Sequence, residues 1–270
     1  MKSITLTTFF IIIIGIIGAA LSFTLRTSVP LGWQLIAVHF SLAFSIMLAV
    51  YYIGTAFLFV FGLKKFKVTL KVAYGYICFG LFILAIAQLQ LPVFQFLNLF
   101  SSEWVISGGI QIPYIIAAVL LFEGVRRFSN LVKVNNILSS WLGTAFITIS
   151  CILIIYIARD IFYPYRIRPG AQITTGFAFI AVLIFPILCA ITSLLTLSIK
   201  QKAGASYSNA LAWFFIALVA SAFTEGQIPF FSAVGFDSGW VVKGWLSLPF
   251  VISGLLFLKA GHAFNKISIY

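Results

Sequence analysis

The sequence predicts an all-α fold, a polytopic integral membrane helical bundle of eight transmembrane helices, and three observations predict it. The chain is 62% hydrophobic and 8% charged, and a soluble domain of 270 residues cannot hide that much apolar surface, so the bilayer must be its solvent. The apolar stretches are continuous for roughly 20 residues or more, the length of a spanning helix, and do not alternate as the strands of a membrane barrel do. Lysine and arginine collect in every second connection, as the positive-inside rule requires of an even number of crossings.

The first span covers 4–24. Lys2, the apolar run from Phe9 to Ile17 and the small residues Gly18, Ala19 and Ala20 also fit a cleaved secretory signal, whose removal leaves seven spans. The run from Ile4 to Phe23 is long for such a signal and favours retention. The second span, 33–62, is long enough to tilt or to protrude into the cytoplasm. The third, 72–96, ends on Gln90-Leu91-Pro92, and the fourth, 108–125, begins on Gln111-Ile112-Pro113. The fifth and sixth cover 136–158 and 173–197. The seventh, 209–230, ends on Gln227-Ile228-Pro229, and the eighth covers 241–260.

The basic connections set the orientation. Lys64, Lys65, Lys67 and Lys71 fill one, Arg126, Arg127 and Lys133 the next, and Lys200 and Lys202 a third, with Lys259 and Lys266 at the C-terminus. These face the cytoplasm, which puts both termini there. With no organelle-targeting segment, the expected location is the plasma membrane of a prokaryote. The net charge of +12 is split among membrane-edge loops, so contact with anionic headgroups accounts for it and no nucleic-acid role follows.

A short internal echo joins two of these connections. Gly62-Leu-Lys-Lys-Phe66 closes the second span and Gly124-Val-Arg-Arg-Phe128 the fourth, with Lys71-Val72 and Lys133-Val134 at the same offset. Either a parallel hairpin repeat around 33–72 and 108–134 produced this, or convergence on a helix-ending glycine, cations at the helix C-terminus and an interfacial aromatic. No inverted pair of the kind many transporters carry is visible.

Polar side chains inside membrane helices are costly and carry a functional expectation. Gln88, Gln90, Gln111, Glu225 and Gln227 lie in the outer leaflet next to prolines 92, 113 and 229. Each proline leaves the carbonyl four residues earlier without its donor. With His39 at comparable depth, these groups could line an outward pocket for a small polar or cationic ligand, Glu225 being its acid. The alternative is that Gln and Pro mark helix ends near headgroups. A second cluster, Arg159, Arg166 and Arg168 with Phe162, Tyr163 and Tyr165, would grip an anionic ligand or phospholipid phosphates. Lys64, Lys65, Arg126 and Arg127 offer a cytoplasmic contact to a partner or to lipid. Glu123 precedes Arg126 and Arg127 at helical ion-pair spacing and reads as a structural clamp.

Several chemistries lack their residues. His39 and His262 sit at opposite ends of the bundle and cannot share a haem iron, and no lysine lies between Lys243 and Lys259 to hold retinal. There is no HExxH or GxSxG and nothing resembling a P-loop. Cys78, Cys151 and Cys189 have no CxxC spacing and read as packing residues. No metal site, cofactor or enzymatic activity is expected.

The two basic helix endings, Gly62 to Phe66 and Gly124 to Phe128, within a chain of Phe-rich spans, resemble the uncharacterised multi-span sensory domains of bacterial histidine kinases and diguanylate cyclases. The resemblance implies a membrane sensor whose last span leads into a catalytic output module. Only Asn265 to Tyr270 follow the last span here, so signalling would depend on a separate partner, and no ligand residue carries over. The expected function is a non-enzymatic ligand-binding or sensing bundle, the alternatives being an accessory subunit of a larger membrane complex and a small proton-coupled transporter.

Overall fold

The computed structural model describes the backbone over 31–64, 66, 68–97, 109–134, 136–162, 176–234 and 239–267. Side chains are described over the same residues except 31–42, 44, 91, 95, 158–162, 176–179, 205–206, 225–234 and 239–250. The predicted span 4–24 lies outside the described residues.

Among the described residues the chain is all-α. Its helices are α1 (Leu31–Leu63), α2 (Val68–Phe96), α3 (Ile112–Leu131), α4 (Trp141–Phe162), α5 (Gly176–Lys202), α6 (Ala205–Val234) and α7 (Gly239–Asn265), with 3-10 turns at Gly109–Gln111 and Ile137–Ser139. Each takes in most of one predicted span, and α3, α5 and α7 run several residues past the predicted ends because the basic turns there are still packed: Phe128, Ser129, Ile199 and Phe264 are buried. Among the described residues five segments, Ser45–Leu63, Val68–Phe94, Gly109–Leu131, Ile180–Lys202 and Tyr207–Thr224, are long and apolar enough to cross a membrane.

The helices form a closed ring. α1 packs on α2, α2 on α3, α3 on α5, α5 on α6, α6 on α7, and α7 back on α1. The α3–α5 contact is the sparsest of the six, and α4 stays outside the ring, packed on α5 and on the 3-10 turn that precedes it. α4 exposes Leu142, Phe146, Ile149, Leu153 and Ile157, recurring every three or four residues along one stripe of the helix.

Small residues set the closest approaches. A Cβ on Gly124 of α3 would stand 2.8 Å from the Ala73 carbonyl and 2.6 Å from Ile77 Cγ1 of α2, while one on Gly80 of α2 would meet the Ala117 carbonyl at 3.1 Å. Such pairs let helix backbones approach in a membrane, where dispersion replaces the hydrophobic drive. Gly124 is therefore a packing residue inside α3 and does not close the helix as its sequence context suggests. Gly62, in the last turn of α1, has room: its nearest neighbours would be Phe66 at 3.7 Å and Asn265 at 3.9 Å.

α3 ends in a Schellman turn with lysine in the usual glycine position. Val134 N–H donates to Ser129 O at 2.9 Å and Lys133 N–H to Asn130 O at 3.2 Å, with Lys133 at φ 54° and Val134 buried beneath the turn. Lys202 Nζ, from the end of α5, donates to Lys133 O at 3.1 Å and ties the two helix ends together.

The prolines act differently from one another. α2 continues past Pro92 to Phe96, and Leu97 N–H still reaches Val93 O at 2.9 Å; the span does not end at the proline. Pro113 opens α3 at its first turn, where a missing N–H interrupts nothing, and Gly109 lies in the 3-10 turn that leads into it. Pro186, which the sequence reading passed over, lies within α5.

Candidate functional site

One end of the ring gathers the charge. The C-terminal ends of α1, α3, α5 and α7 and the N-terminal ends of α2 and α6 meet there, as the Phe66–Tyr74, Phe128–Tyr207 and Tyr74–Phe264 ring contacts require. Every lysine and arginine with a described side chain, from Lys64 and Lys71 through Arg126, Arg127, Lys133, Lys200 and Lys202 to Lys259 and Lys266, falls in this half. Lys64 is exposed, Lys65 lies outside the described residues, and Lys259 Nζ stands 4.7 Å over the Trp213 ring.

The clamp at Glu123 is more extensive than its spacing suggests. Its carboxylate accepts from Arg126 Nε at 2.7 Å and Nη2 at 2.9 Å, from Arg127 Nε at 2.6 Å, and from Trp141 Nε1 at 3.1 Å. The fourth donor comes from the first residue of α4, whose indole also meets Phe122 edge-on at 4.8 Å. Arg127 lies over the Tyr76 ring of α2 at 4.8 Å. A single acid thus joins α3 to α4 directly and to α2 through Arg127. The two arginines expected to face a partner or lipid are committed to Glu123, and the side chain of Arg127 remains 42% exposed.

Further along the ring, the basic end is filled by rings from α1, α2, α3, α6 and α7. Phe59 lies 5.7 Å from Tyr74, 4.9 Å from Phe264 and 6.3 Å from Phe214. Contacts between helices that are not ring neighbours, Phe59 with Phe214 and Tyr74 with Phe264, show that the cluster occupies the ring's interior. Both echo phenylalanines converge on Tyr74, Phe66 stacked at 4.8 Å and Phe128 tilted at 6.0 Å, so they are core residues and not interfacial ones. The two segments differ locally: Phe66 sits in the turn after α1, Phe128 inside α3. Tyr74 is 1% exposed, and its hydroxyl has no hydrogen-bond partner.

Away from the basic end the buried groups change character. Gln88 is buried on α2, two seven-residue steps beyond Tyr74 and so on nearly the same face. Ser221 of α6 and Ser253 of α7 share a buried hydrogen bond, and Ser253 Oγ also donates to Ala217 O at 3.3 Å. Ser45 and Thr224 are buried too, the latter bonded to Ala220 O at 2.5 Å.

Among the expected pocket residues with described side chains, Gln88 is the one that is buried. Gln90, about 200° around the helix from Gln88, is half-buried and turns its amide to Ala87 O at 3.3 Å. Gln111 is half-buried at the start of α3 and makes no side-chain cap bond. The side chains of His39, Glu225, Gln227 and Arg159 lie outside the described residues, although their backbones are helical in α1, α6 and α4; Arg166 and Arg168 lie outside altogether. Among the described residues no group of three or more His, Cys, Asp or Glu is placed to hold a metal ion. Sequence reasoning missed Tyr74, Trp141 and the Ser221–Ser253 pair. No local signal marks Tyr74 or Trp141, whereas serines in the middle of two apolar spans are the kind of polar group that flags interhelical bonding.

No family model, curated protein or solved structure matches the chain.

Proposed function

We propose that this chain is a non-enzymatic membrane bundle that binds a small ligand on one side and acts through a partner on the other. The supporting observation is the contrast along the bundle between the buried polar groups Gln88, Ser45, Ser221 and Ser253 and the aromatic cluster that fills the basic end. In this reading a polar ligand enters from the end opposite the aromatic cluster. In this reading the chain crosses the bilayer eight times with both termini in the cytoplasm. Glu225, His39 and Gln227 complete the outer site with Gln88, and the basic end meets the partner and anionic lipid.

The test is extraction of the native protein in mild detergent and mass spectrometry of whatever co-elutes. A retained small molecule that is lost in Glu225→Gln and Gln88→Leu variants of unchanged elution volume supports the reading. Stoichiometric membrane subunits with no retained molecule overturn it in favour of an accessory role.

One observation favours a second reading. α1–α3 and α5–α7 are triplets of like orientation joined by a single crossing helix, and like-oriented repeats occur in secondary transporters. Proton-coupled uptake by reconstituted vesicles, abolished by Glu225→Gln, would establish it.

A further inference from the structure

We propose that Arg127 is the phosphate-binding residue of a site for one anionic phospholipid, seated on the outward face of α2 and α3 at the basic end. Donors outnumber acceptors around Glu123. A carboxylate offers about four acceptor sites on its two oxygens. Here Oε1 takes Arg126 Nη2 and Arg127 Nε, and Oε2 takes Arg126 Nε and Trp141 Nε1, so the acid has no site left. Arg127 gives it Nε alone, and among the described residues its two Nη groups have no acceptor. One carboxylate against two guanidiniums also leaves one positive charge uncompensated. At the edge of a bilayer, the acceptors that answer both deficits are the phosphates of anionic lipids.

The guanidinium is already set for that task. Its Nε bond to Glu123 at 2.6 Å and the Tyr76 ring 4.8 Å beneath it hold it from two sides. The Nη1–Nη2 edge, which matches two oxygens of a phosphate, is left unbonded on a side chain that is 42% exposed. Beyond this edge the surface turns apolar. On α2, Val72 and Phe79 are exposed, and Gly75 lies between them, where a Cβ would meet nothing within 4 Å; all three share one side of the helix with Tyr76. On α3, Ile116, three turns before Arg127, is exposed as well. The contact of Arg127 with Tyr76 sets these two stripes side by side. Arg127 lies near the end of the segment Gly109–Leu131, which is apolar enough to cross a membrane. A charged head above an apolar track is the outline of a phospholipid, whereas a soluble anion or an acidic peptide would leave the track unused. The site deepens the proposed function and rests on its reading of the basic end as a membrane face.

The full chain, purified in mild detergent, is titrated with phosphatidylglycerol and separately with phosphatidylcholine, and bound lipid is counted by native mass spectrometry. One phosphatidylglycerol should bind more tightly than phosphatidylcholine. Arg127→Lys, which keeps the charge and loses the fork, should weaken that binding by about tenfold, the contribution of one charge-assisted hydrogen bond. Tyr76→Leu, which leaves every charge in place, should weaken it too. Lys266→Gln, which removes an exposed charge from the same end, should not. Variants are compared at unchanged elution volume. Wild-type affinity in Arg127→Lys or in Tyr76→Leu, or a loss in Lys266→Gln as large as that in Arg127→Lys, overturns the proposal. Displacement of the lipid by an excess of inorganic phosphate overturns it in favour of a site for soluble anions. A negative result removes the lipid site and leaves the outer ligand to its own test.

Discussion

The indole nitrogen of Trp141 lies 3.1 Å from Oε2 of Glu123, and through that bond the helix left out of the ring is fixed to the ring's basic end. Trp141→Phe keeps the edge contact with Phe122 and removes only the N–H. A bond to a charged acceptor contributes about 1.5–3 kcal/mol, and partial exposure places this one at the low end. The expected outcome is a lower unfolding temperature in detergent together with faster proteolysis around α4.

Removing the acid should cost more than removing the indole. Glu123→Ala leaves Arg126, whose side chain is 21% exposed, without its acceptor, and frees Arg127 and Trp141 at once. Stranding buried charge is destabilising by about 3–5 kcal/mol in full burial, and solvent access here reduces that to roughly half. A Glu123→Ala, Trp141→Phe double variant should be no less stable than Glu123→Ala alone, because the indole bond is already lost. Additive losses would show that Trp141 acts independently of Glu123.

The two echo glycines should respond oppositely to a methyl group. Gly124→Ala drives a Cβ to 2.8 Å from the Ala73 carbonyl, a backbone atom that cannot swing aside. Overpacking of this kind costs about 1–3 kcal/mol. Gly62→Ala meets nothing closer than 3.7 Å and gains about 0.5–1 kcal/mol of helix preference. Thermal melts of the two single variants decide this directly.

Lys133 holds a left-handed backbone at φ 54°, a conformation that costs a side-chain-bearing residue about 1–2 kcal/mol. Lys133→Gly should raise stability by somewhat less than this, since glycine also gives the unfolded chain more freedom. The Lys202 bond is unaffected because it is made to the backbone carbonyl. A lower melting temperature would show that the lysine side chain contributes more than its strain removes.

Ser221 and Ser253 form a buried pair across α6 and α7. Ser253→Ala leaves the Ser221 hydroxyl short of a partner, costing about 1 kcal/mol, whereas Ser221→Ala leaves Ser253 its bond to Ala217 O and should cost less, and the double alanine variant should recover most of the Ser253→Ala loss. A double-mutant cycle on thermal stability reads the coupling.

The helices were legible because continuous apolar runs between basic seams leave few alternatives, and the Glu123 clamp because its partners lie within one helical turn. The limits are equally physical. Trp141 is 18 residues from Glu123, and nothing local says that α4 folds back to the same spot. The chain has 30 phenylalanines, so the few that fill the ring's interior are not distinguishable from those facing outward until the helices are placed. Gln88 and Gln90 looked equivalent beside Pro92, but two residues of helix turn them to different sides, and only one is buried. Gly62 and Gly124 share a sequence context, yet only Gly124 meets a neighbouring backbone at close range.

The excluded helix also decides an electrical asymmetry. Because α4 carries the chain back across without occupying a place in the ring, α3 and α5 run in the same direction, as do α7 and α1. Among the described helices, α1, α3, α5 and α7 therefore bring their electronegative C-terminal carbonyls to one end, against the N-terminal amides of α2, α4 and α6. The lysines and arginines at that end neutralise a surplus of helix carbonyl charge that the topology itself creates, in addition to any attraction they have for the membrane surface.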